Sequence, residues 1–271
     1  MLHTPAGDRW RKGLRRPDGL YSQREQKLEA ELRFWKKRMA AGLPPRDSYA
    51  DTVFNALMEL MADLEIRSAI EIGPGWGNYT FPLSRCVEQL TCVDFSEDNL
   101  ACLSKRVLLD GHPISTVLSA WEDAQVEPHD LVFAYNCFYM VDEPELFLKK
   151  VNDSALKLCA VGMNCPPELP WQKDFADAGL PVLYMKQGCL ELDAVLQDLG
   201  IQARLVNIPN ERVFRYETRE NLLNRLRRAV AVPAPDEQLL SIAMPYHEEM
   251  EDGSLVCRYR FNSQLLVWQP Q

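Results

Sequence analysis

The chain has 271 residues, enough for one large domain or a core with a cap, and 46% of them are hydrophobic, an ordinary fraction for a water-soluble fold. No apolar run approaches the ~20 residues of a membrane-spanning helix, and the basic stretch 1–16 lacks the apolar segment of a secretory signal. The net charge of −9 is uneven: residues 1–46 hold 12 Lys and Arg against 5 Asp and Glu, and the remainder holds 18 against 34.

Residues 1–20 read as irregular, with Pro5, Gly7, Gly13, Pro17 and Gly19 as breakers. A helix is predicted over 22–39, capped by Ser22 with Glu25 three residues on, and ended by Gly42 and the Pro44-Pro45 pair. A second is predicted over 48–64, with Val53, Leu57, Leu60, Met61 and Leu64 as its buried stripe. Short apolar runs then alternate with amphipathic segments. Strands are predicted at 68–72, 90–94, 114–118, 130–135 and 155–163, and helices at 79–86, 98–110 and 143–151. A proline-rich excursion at 166–171 precedes a helix at 189–199, capped by Gly200. A sixth strand at 201–208, helices at 218–230 and 235–250, an Asp252-Gly253 turn and a last strand at 255–268 complete the chain. This alternation predicts a parallel α/β sheet, doubly wound with helices on both faces and right-handed crossovers.

The eight cysteines are scattered without a C-x-x-C, and the four histidines are far apart, so neither a disulfide framework nor a metal site is expected. Reduced cysteines in a cytoplasmic protein are the preferred reading. The basic arm invites a nucleic-acid reading, but the acidic body would repel a phosphate backbone, so nucleic-acid binding is not expected.

Residues 69–80 carry the most information: Ala-Ile-Glu-Ile-Gly-Pro-Gly-Trp-Gly-Asn-Tyr-Thr. A strand, a glycine loop and a helix N-terminus together form a nucleotide-sized pocket at the carboxyl edge of a parallel sheet. Gly73, Gly75 and Gly77 have G-x-G-x-G spacing, unlike the dinucleotide G-x-G-x-x-G, and Glu71 precedes them by two residues. Asp94 ends the second strand, within range of the ~20-residue offset of a ribose-binding acid, although it could instead cap the helix that follows Ser96.

The loop with its acid resembles motif I of the class I S-adenosylmethionine-dependent methyltransferases, and the resemblance covers about residues 66–268. It implies a Rossmann-like, seven-stranded, mostly parallel sheet whose antiparallel last strand closes one edge. Residues 1–64 lie outside the resemblance and read, from the aromatic content at Tyr21, Phe34 and Trp35, as an N-terminal helical cap or lid before a core at 65–271, with substrate-side insertions at about 164–188 and 209–250. The cofactor the resemblance implies is S-adenosyl-L-methionine. Glu71 would orient the loop and the cofactor amine, the three glycines would admit its methionine end, and Asp94 would hold the ribose. Phe95 would pack on the adenine, with Ala120, Trp121 and Glu122 or Asp123 beside it. Trp121 could equally be a core residue. Asn136 would lie between cofactor and substrate. Here Asn136 begins Asn-Cys-Phe-Tyr rather than the Asn-Pro-Pro-Tyr of the branch that methylates nucleic acids and protein amides, which points to the small-molecule branch.

Methyl transfer from a sulfonium is an in-line displacement that needs positioning and dryness more than a fixed base. No base is legible; Tyr139, Tyr21, Glu168 and His247 are the catalytic candidates. The expected partner is a small or medium-sized metabolite; no membrane partner is expected, and a homodimer stays open. Three alternatives remain: RNA methylation through the basic arm, a nicotinamide-dependent oxidoreductase, and a binding module without chemistry.

Overall fold

The computed structural model describes residues 3–14, 28–40, 46–110, 113–165, 169–180, 182 and 188–271. The chain opens with helix α1 (Pro5–Leu14) where the breakers predicted irregular chain. Pro5 fits the first helical turn, where its missing N–H costs nothing. The Thr4 hydroxyl accepts from the Gly7 amide at 3.0 Å and caps the helix. A Cβ on Gly7 would sit 1.8 Å from Glu145 Oε1, so glycine here permits docking rather than breaking the helix. Trp10 and Leu14 are fully buried, and the Trp10 indole donates to Val141 O at 2.8 Å. Tertiary packing overrode the local propensity.

Helix α2 (Leu28–Ala40) lies in the predicted first helix, whose expected cap at Ser22 and Glu25 falls outside the described residues. Helix α3 (Ala50–Met61) buries Val53, Leu57 and Met61 as its spacing predicts. The alternating core follows: β1 (Ser68–Ile72), α4 (Thr80–Leu83), β2 (Gln89–Asp94), α5 (Glu97–Asp110), β3 (Ser115–Leu118), β4 (His129–Tyr135), α6 (Pro144–Ser154) and β5 (Ala155–Asn164). After it come α7 (Gln172–Asp177), α8 (Cys189–Asp198), β6 (Arg204–Tyr216), α9 (Arg219–Ala229), α10 (Asp236–Ala243), β7 (Glu248–Glu249) and β8 (Leu255–Trp268).

Among the described residues the sheet runs β3-β2-β1-β4-β5-β8-β6, with the two-residue β7 also paired to β8. Strands β3 to β5 are parallel, and every residue of β4 is buried, as a strand covered on both faces requires. The antiparallel last strand does not close an edge, contrary to expectation. It inserts between β5 and β6, pairing with both, and β6 is the edge. Its run from Ser263 to Trp268 is buried throughout, which only an interior strand sustains.

Two further expectations are corrected. β6 extends to Tyr216 rather than stopping at residue 208, because β8 pairs with it at every position from Arg204 to Tyr216. Pro209 is tolerated there because β6 is an edge strand. The helix predicted over 235–250 ends at Ala243. Pro245 lacks the N–H to continue it, a 3-10 turn follows, and Glu248 and Glu249 join β8 across the turn at Gly253.

Helices α1, α6 and α8 pack one face of the sheet around Trp10, Phe147 and Leu192, and α3, α4 and α5 pack the other around Leu57, Leu83 and Leu100. A third cluster, with Trp171, Phe175, Leu222 and Leu239, joins α7, α9 and α10 to the far end of the β6–β8 ribbon. Of residues 1–64, α1 and α3 therefore lie in the two central layers. Helix α2 packs against α5 and reaches the loop after β1.

Candidate functional site

Strand β1 ends in a loop whose glycines all have left-handed backbone, with φ of 63°, 55° and 88° at Gly73, Gly75 and Gly77. A Cβ on Gly73 would meet Cys137 Cβ at 2.6 Å, so the loop packs directly on the end of β4. Gly75 faces the other way. Its nearest neighbour is Trp35 Cη2 of α2, 3.3 Å from where a Cβ would sit, so it presents bare backbone to the cavity beneath that ring. The cavity is lined by Gly73, Gly75, Asp94, Phe95 and Asn136, at the carboxyl ends of β1, β2 and β4.

Two buried acids flank this loop. Glu71 lies beneath it, with Thr80 Oγ1 donating to Oε2 at 2.6 Å, and so braces the loop against the start of α4. Burial pushes its carboxyl up to about 7, against the opposing hydrogen bonds from Thr80 and Cys92. Asp94 faces the cavity. Burial raises it to about 6, while hydrogen bonds from Ser96, Asn99 and the Gly75 amide pull the other way. It accepts from Ser96 N at 2.8 Å and Asn99 Nδ2 at 3.3 Å. Ser96 caps α5, its hydroxyl accepting from Asn99 N at 3.3 Å. Asp94 is therefore not the cap residue itself.

Asn136 directly follows β4 with φ of 53°, the one non-glycine with positive φ among the described residues. Its amide joins three elements: Oδ1 accepts from Asn164 N at 3.0 Å, and Nδ2 donates to the Tyr49 hydroxyl at 3.1 Å. Tyr49 in turn donates to Asp47 Oδ2 at 2.9 Å, which also accepts from Asn78 Nδ2 at 2.7 Å. The Trp76 indole donates to Asn78 Oδ1 at 3.2 Å. One polar chain thus runs from β5 across β4 to the start of α3 and back to the glycine loop.

Helix α2 covers the outside. The Trp35 indole donates to Glu31 Oε1 at 3.0 Å, and its ring lies 5.8 Å from that of Trp76, over which the Arg38 guanidinium sits at 4.4 Å.

Residues 70–155 match the family described as Methyltransferase domain. Among solved structures, a Bacillus halodurans protein assigned as a methyltransferase aligns with a TM-score of 0.56 at 14% identity, over 80% of this chain and 98% of that one. The N-methyltransferase NodS from Bradyrhizobium japonicum, in complex with S-adenosyl-L-homocysteine, gives 0.50 at 12%, over 85% and 97%. The (4+2)-cyclase SpnF gives 0.54 at 12%, over 89% and 93%. At such identities the likeness is one of fold. No curated protein matches the chain in sequence.

The chain has the Rossmann-like fold of the class I methyltransferases, with the methyltransferase-domain match confined to residues 70–155.

Within this fold the sequence candidates do not all converge. Gly73, Gly75, Asp94, Phe95, Asn136 and Tyr139 line the cavity. Gly77 turns inward, where a Cβ would meet Phe81 at 2.5 Å. The Trp121 side chain belongs to the core, its indole donating to Phe147 O at 3.2 Å, and Ala120, Trp121 and Glu122 are not among the residues that line the cavity. Glu122 is half-buried and close enough to raise the Cys137 thiol, which burial already holds protonated. Cys137 lines the cavity, and its burial favours the protonated thiol, which is the poorer nucleophile.

Of the two catalytic candidates among the described residues, Tyr139 lies at the cavity and His247 does not; Tyr21 and Glu168 fall outside the described residues. His247 is displaced. Its ring packs 5.6 Å from that of Tyr216 at the end of the ribbon. Tyr216 lies eight residues beyond Ile208, which is level with Ser263 and Asn164, hence roughly 26 Å past the sheet edge at about 3.3 Å per residue.

The sequence reading missed Asp47, Tyr49, Asn78 and Tyr79. The first two precede the glycine loop by more than twenty residues and carry no spacing signal. Tyr79, directly after Asn78, was legible as the start of a helix but not as a cavity wall.

Proposed function

We propose that this protein binds S-adenosylmethionine and transfers its methyl group to a small or medium-sized metabolite by in-line displacement. The observation that carries the reading is that the bare backbone of Gly75 and the buried carboxylate of Asp94 line one cavity together with Asn136. The residues fit the group: Gly75 leaves the room that a Cβ would take, and Asp94 is an acceptor for a pair of ribose hydroxyls. When bound, the cofactor supplies an activated methyl on a neutral leaving group.

The chain's own residues position and dry the site. Gly73, Gly75 and Gly77 shape the loop, and Glu71 braces it through Thr80. Phe95 flanks the adenine slot. Tyr139 is the candidate to contact the acceptor. Helix α2 serves as the lid, Trp35 closing over Gly75. Placement in the cytoplasm belongs to the same proposal and is supported by eight cysteines that are all free. Among the described residues, no helix is long and apolar enough to cross a membrane.

Calorimetry with S-adenosylmethionine, S-adenosylhomocysteine and NADH tests the cofactor. Heat with the two adenosyl compounds alone is expected, and heat with NADH alone would overturn the reading. Labelled methyl transfer into a metabolite extract then tests the chemistry.

A further inference from the structure

The charge of the cavity wall is one-sided. Glu31, Asp47 and Asp94 line it, and no Lys, Arg or His does so among the described residues. Three cations stand behind lining residues without lining the cavity themselves: Arg46 pairs with Asp51 and donates from Nε to Asn78 O at 3.1 Å, Arg38 lies 4.4 Å from the Trp76 ring, and Arg212 lies 5.1 Å from the Tyr49 ring and 4.9 Å from Phe261. A wall of this sign opposes carboxylate and phosphate ligands and favours a cation.

On the side of the cavity toward α3 the acid is pre-set. Asp47 Oδ2 is held by Tyr49 and Asn78, while Oδ1 has no donor among the described residues. Beside it is Tyr79, 4% exposed, whose hydroxyl has no hydrogen-bond partner. A buried hydroxyl without a partner is uncommon, because its lost hydration is not replaced. The rings of Tyr79 and Tyr135 lie 5.3 Å apart, and those of Tyr49 and Tyr135 6.0 Å apart. Aromatic faces and a half-satisfied carboxylate are the groups that take an organic ammonium ion, and the orphan hydroxyl supplies an acceptor for one of its N–H bonds.

We infer that Asp47, Tyr49, Tyr79 and Tyr135 form a subsite for an organic ammonium group, supplied either by an amine methyl acceptor or by the amino-acid end of the cofactor. The inference rests on the methyltransferase reading for those two sources, but the site chemistry is tested separately.

Calorimetry on the full chain compares two matched pairs of probes. S-adenosylhomocysteine carries an amino-acid end, ammonium and carboxylate together, that 5′-methylthioadenosine lacks, and benzylamine carries an ammonium alone that benzyl alcohol lacks. The second pair is titrated with and without saturating S-adenosylhomocysteine. Asp47→Asn is expected to weaken the ammonium member of at least one pair by roughly tenfold and its counterpart by less than about twofold. Selective loss of S-adenosylhomocysteine binding assigns the subsite to the cofactor, and selective loss of benzylamine binding assigns it to the acceptor. Equal loss in both members of each pair, or no loss in any, overturns the inference.

Tyr79→Phe guards against a folding artefact. It is expected to weaken the same ammonium probe by roughly threefold without lowering the unfolding midpoint, since the hydroxyl it removes has no partner. A lowered midpoint with unchanged selectivity would make Tyr79 structural and count against the subsite. If wild-type protein binds neither adenosyl compound, the cofactor reading fails, and the benzylamine pair alone decides the subsite.

Discussion

The Asn136 amide donates to the Tyr49 hydroxyl at 3.1 Å while its carbonyl accepts from Asn164, so a residue with left-handed backbone ties the start of α3 to the ends of β4 and β5. Asparagine tolerates this backbone region and supplies both a donor and an acceptor. Asn136→Gly removes the two hydrogen bonds and is expected to cost about 1–3 kcal/mol. Asn136→Ala adds the strain of a Cβ at positive φ, about 1 kcal/mol more. Denaturant unfolding of both variants checks the order. Equal stability of the two would mean that the backbone conformation carries no strain.

Glu71 ties stability to pH. Its carboxyl is raised by burial to about 7 in the folded protein, against an ordinary value of 4.5. The folded state therefore binds more protons than the unfolded chain between those values. The stability present below pH ~4 is lost as pH rises through ~7. Glu71→Gln keeps an acceptor for Thr80 and removes the titration. It is expected to be more stable than wild type at pH 8, by on the order of 3 kcal/mol at most, with the gain shrinking toward pH 5. Urea unfolding across this range measures it, and a gain that does not change with pH would refute the assignment.

Asp94 should tie cofactor binding to pH in the opposite sense. Its carboxyl is raised to about 6, and hydroxyl donors from a ribose favour the charged form. Affinity for S-adenosylhomocysteine is then expected to rise as pH increases through ~6, with a proton released on binding. Asp94→Asn should weaken binding by roughly ten- to a hundredfold at pH 8 and flatten the profile. Calorimetry in two buffers of different ionisation enthalpy detects the proton.

Helix α2 is better tested by substitution than by truncation. Removing residues 1–46 would also delete α1, whose Trp10 is fully buried against the sheet layer. Trp35→Ala removes the ring over Gly75 and leaves α1 in place. Bound S-adenosylhomocysteine is expected to dissociate about tenfold faster from the variant, read by stopped-flow displacement. An unchanged dissociation rate would remove the lid role.

Trp10→Ala addresses α1 itself. Emptying a fully buried indole site and orphaning Val141 O is expected to cost about 3–5 kcal/mol, visible as a lower urea midpoint. A loss below about 1 kcal/mol would show that α1 is peripheral to the fold.

The parallel core was readable because its signals are local. A buried parallel strand is a short apolar run, and a covering helix is an amphipathic one, so β1 to β5 emerge close to their observed bounds. The loop was readable because positive φ selects glycine, and Asp94 because it ends a strand at a ligand-facing edge. Helix α1 was hidden because Pro5 and Gly7 look like breakers until Glu145 is seen to occupy the space beside Gly7. The interior position of β8 was hidden because hydrogen bonding to two neighbours leaves no trace in one strand's own alternation beyond the buried run at its end.

The sequence by itself determined the fold class and the glycine loop with its two acids, since each is encoded within a few neighbouring residues. Tertiary structure alone decided that Trp35 roofs Gly75, that Trp121 belongs to the core, and that Asp47, Tyr49 and Tyr79 wall the same cavity as Asn136. Those contacts join residues far apart along the chain, and the sheet and helices that bring them together are set by the burial of the whole molecule rather than by any local pattern.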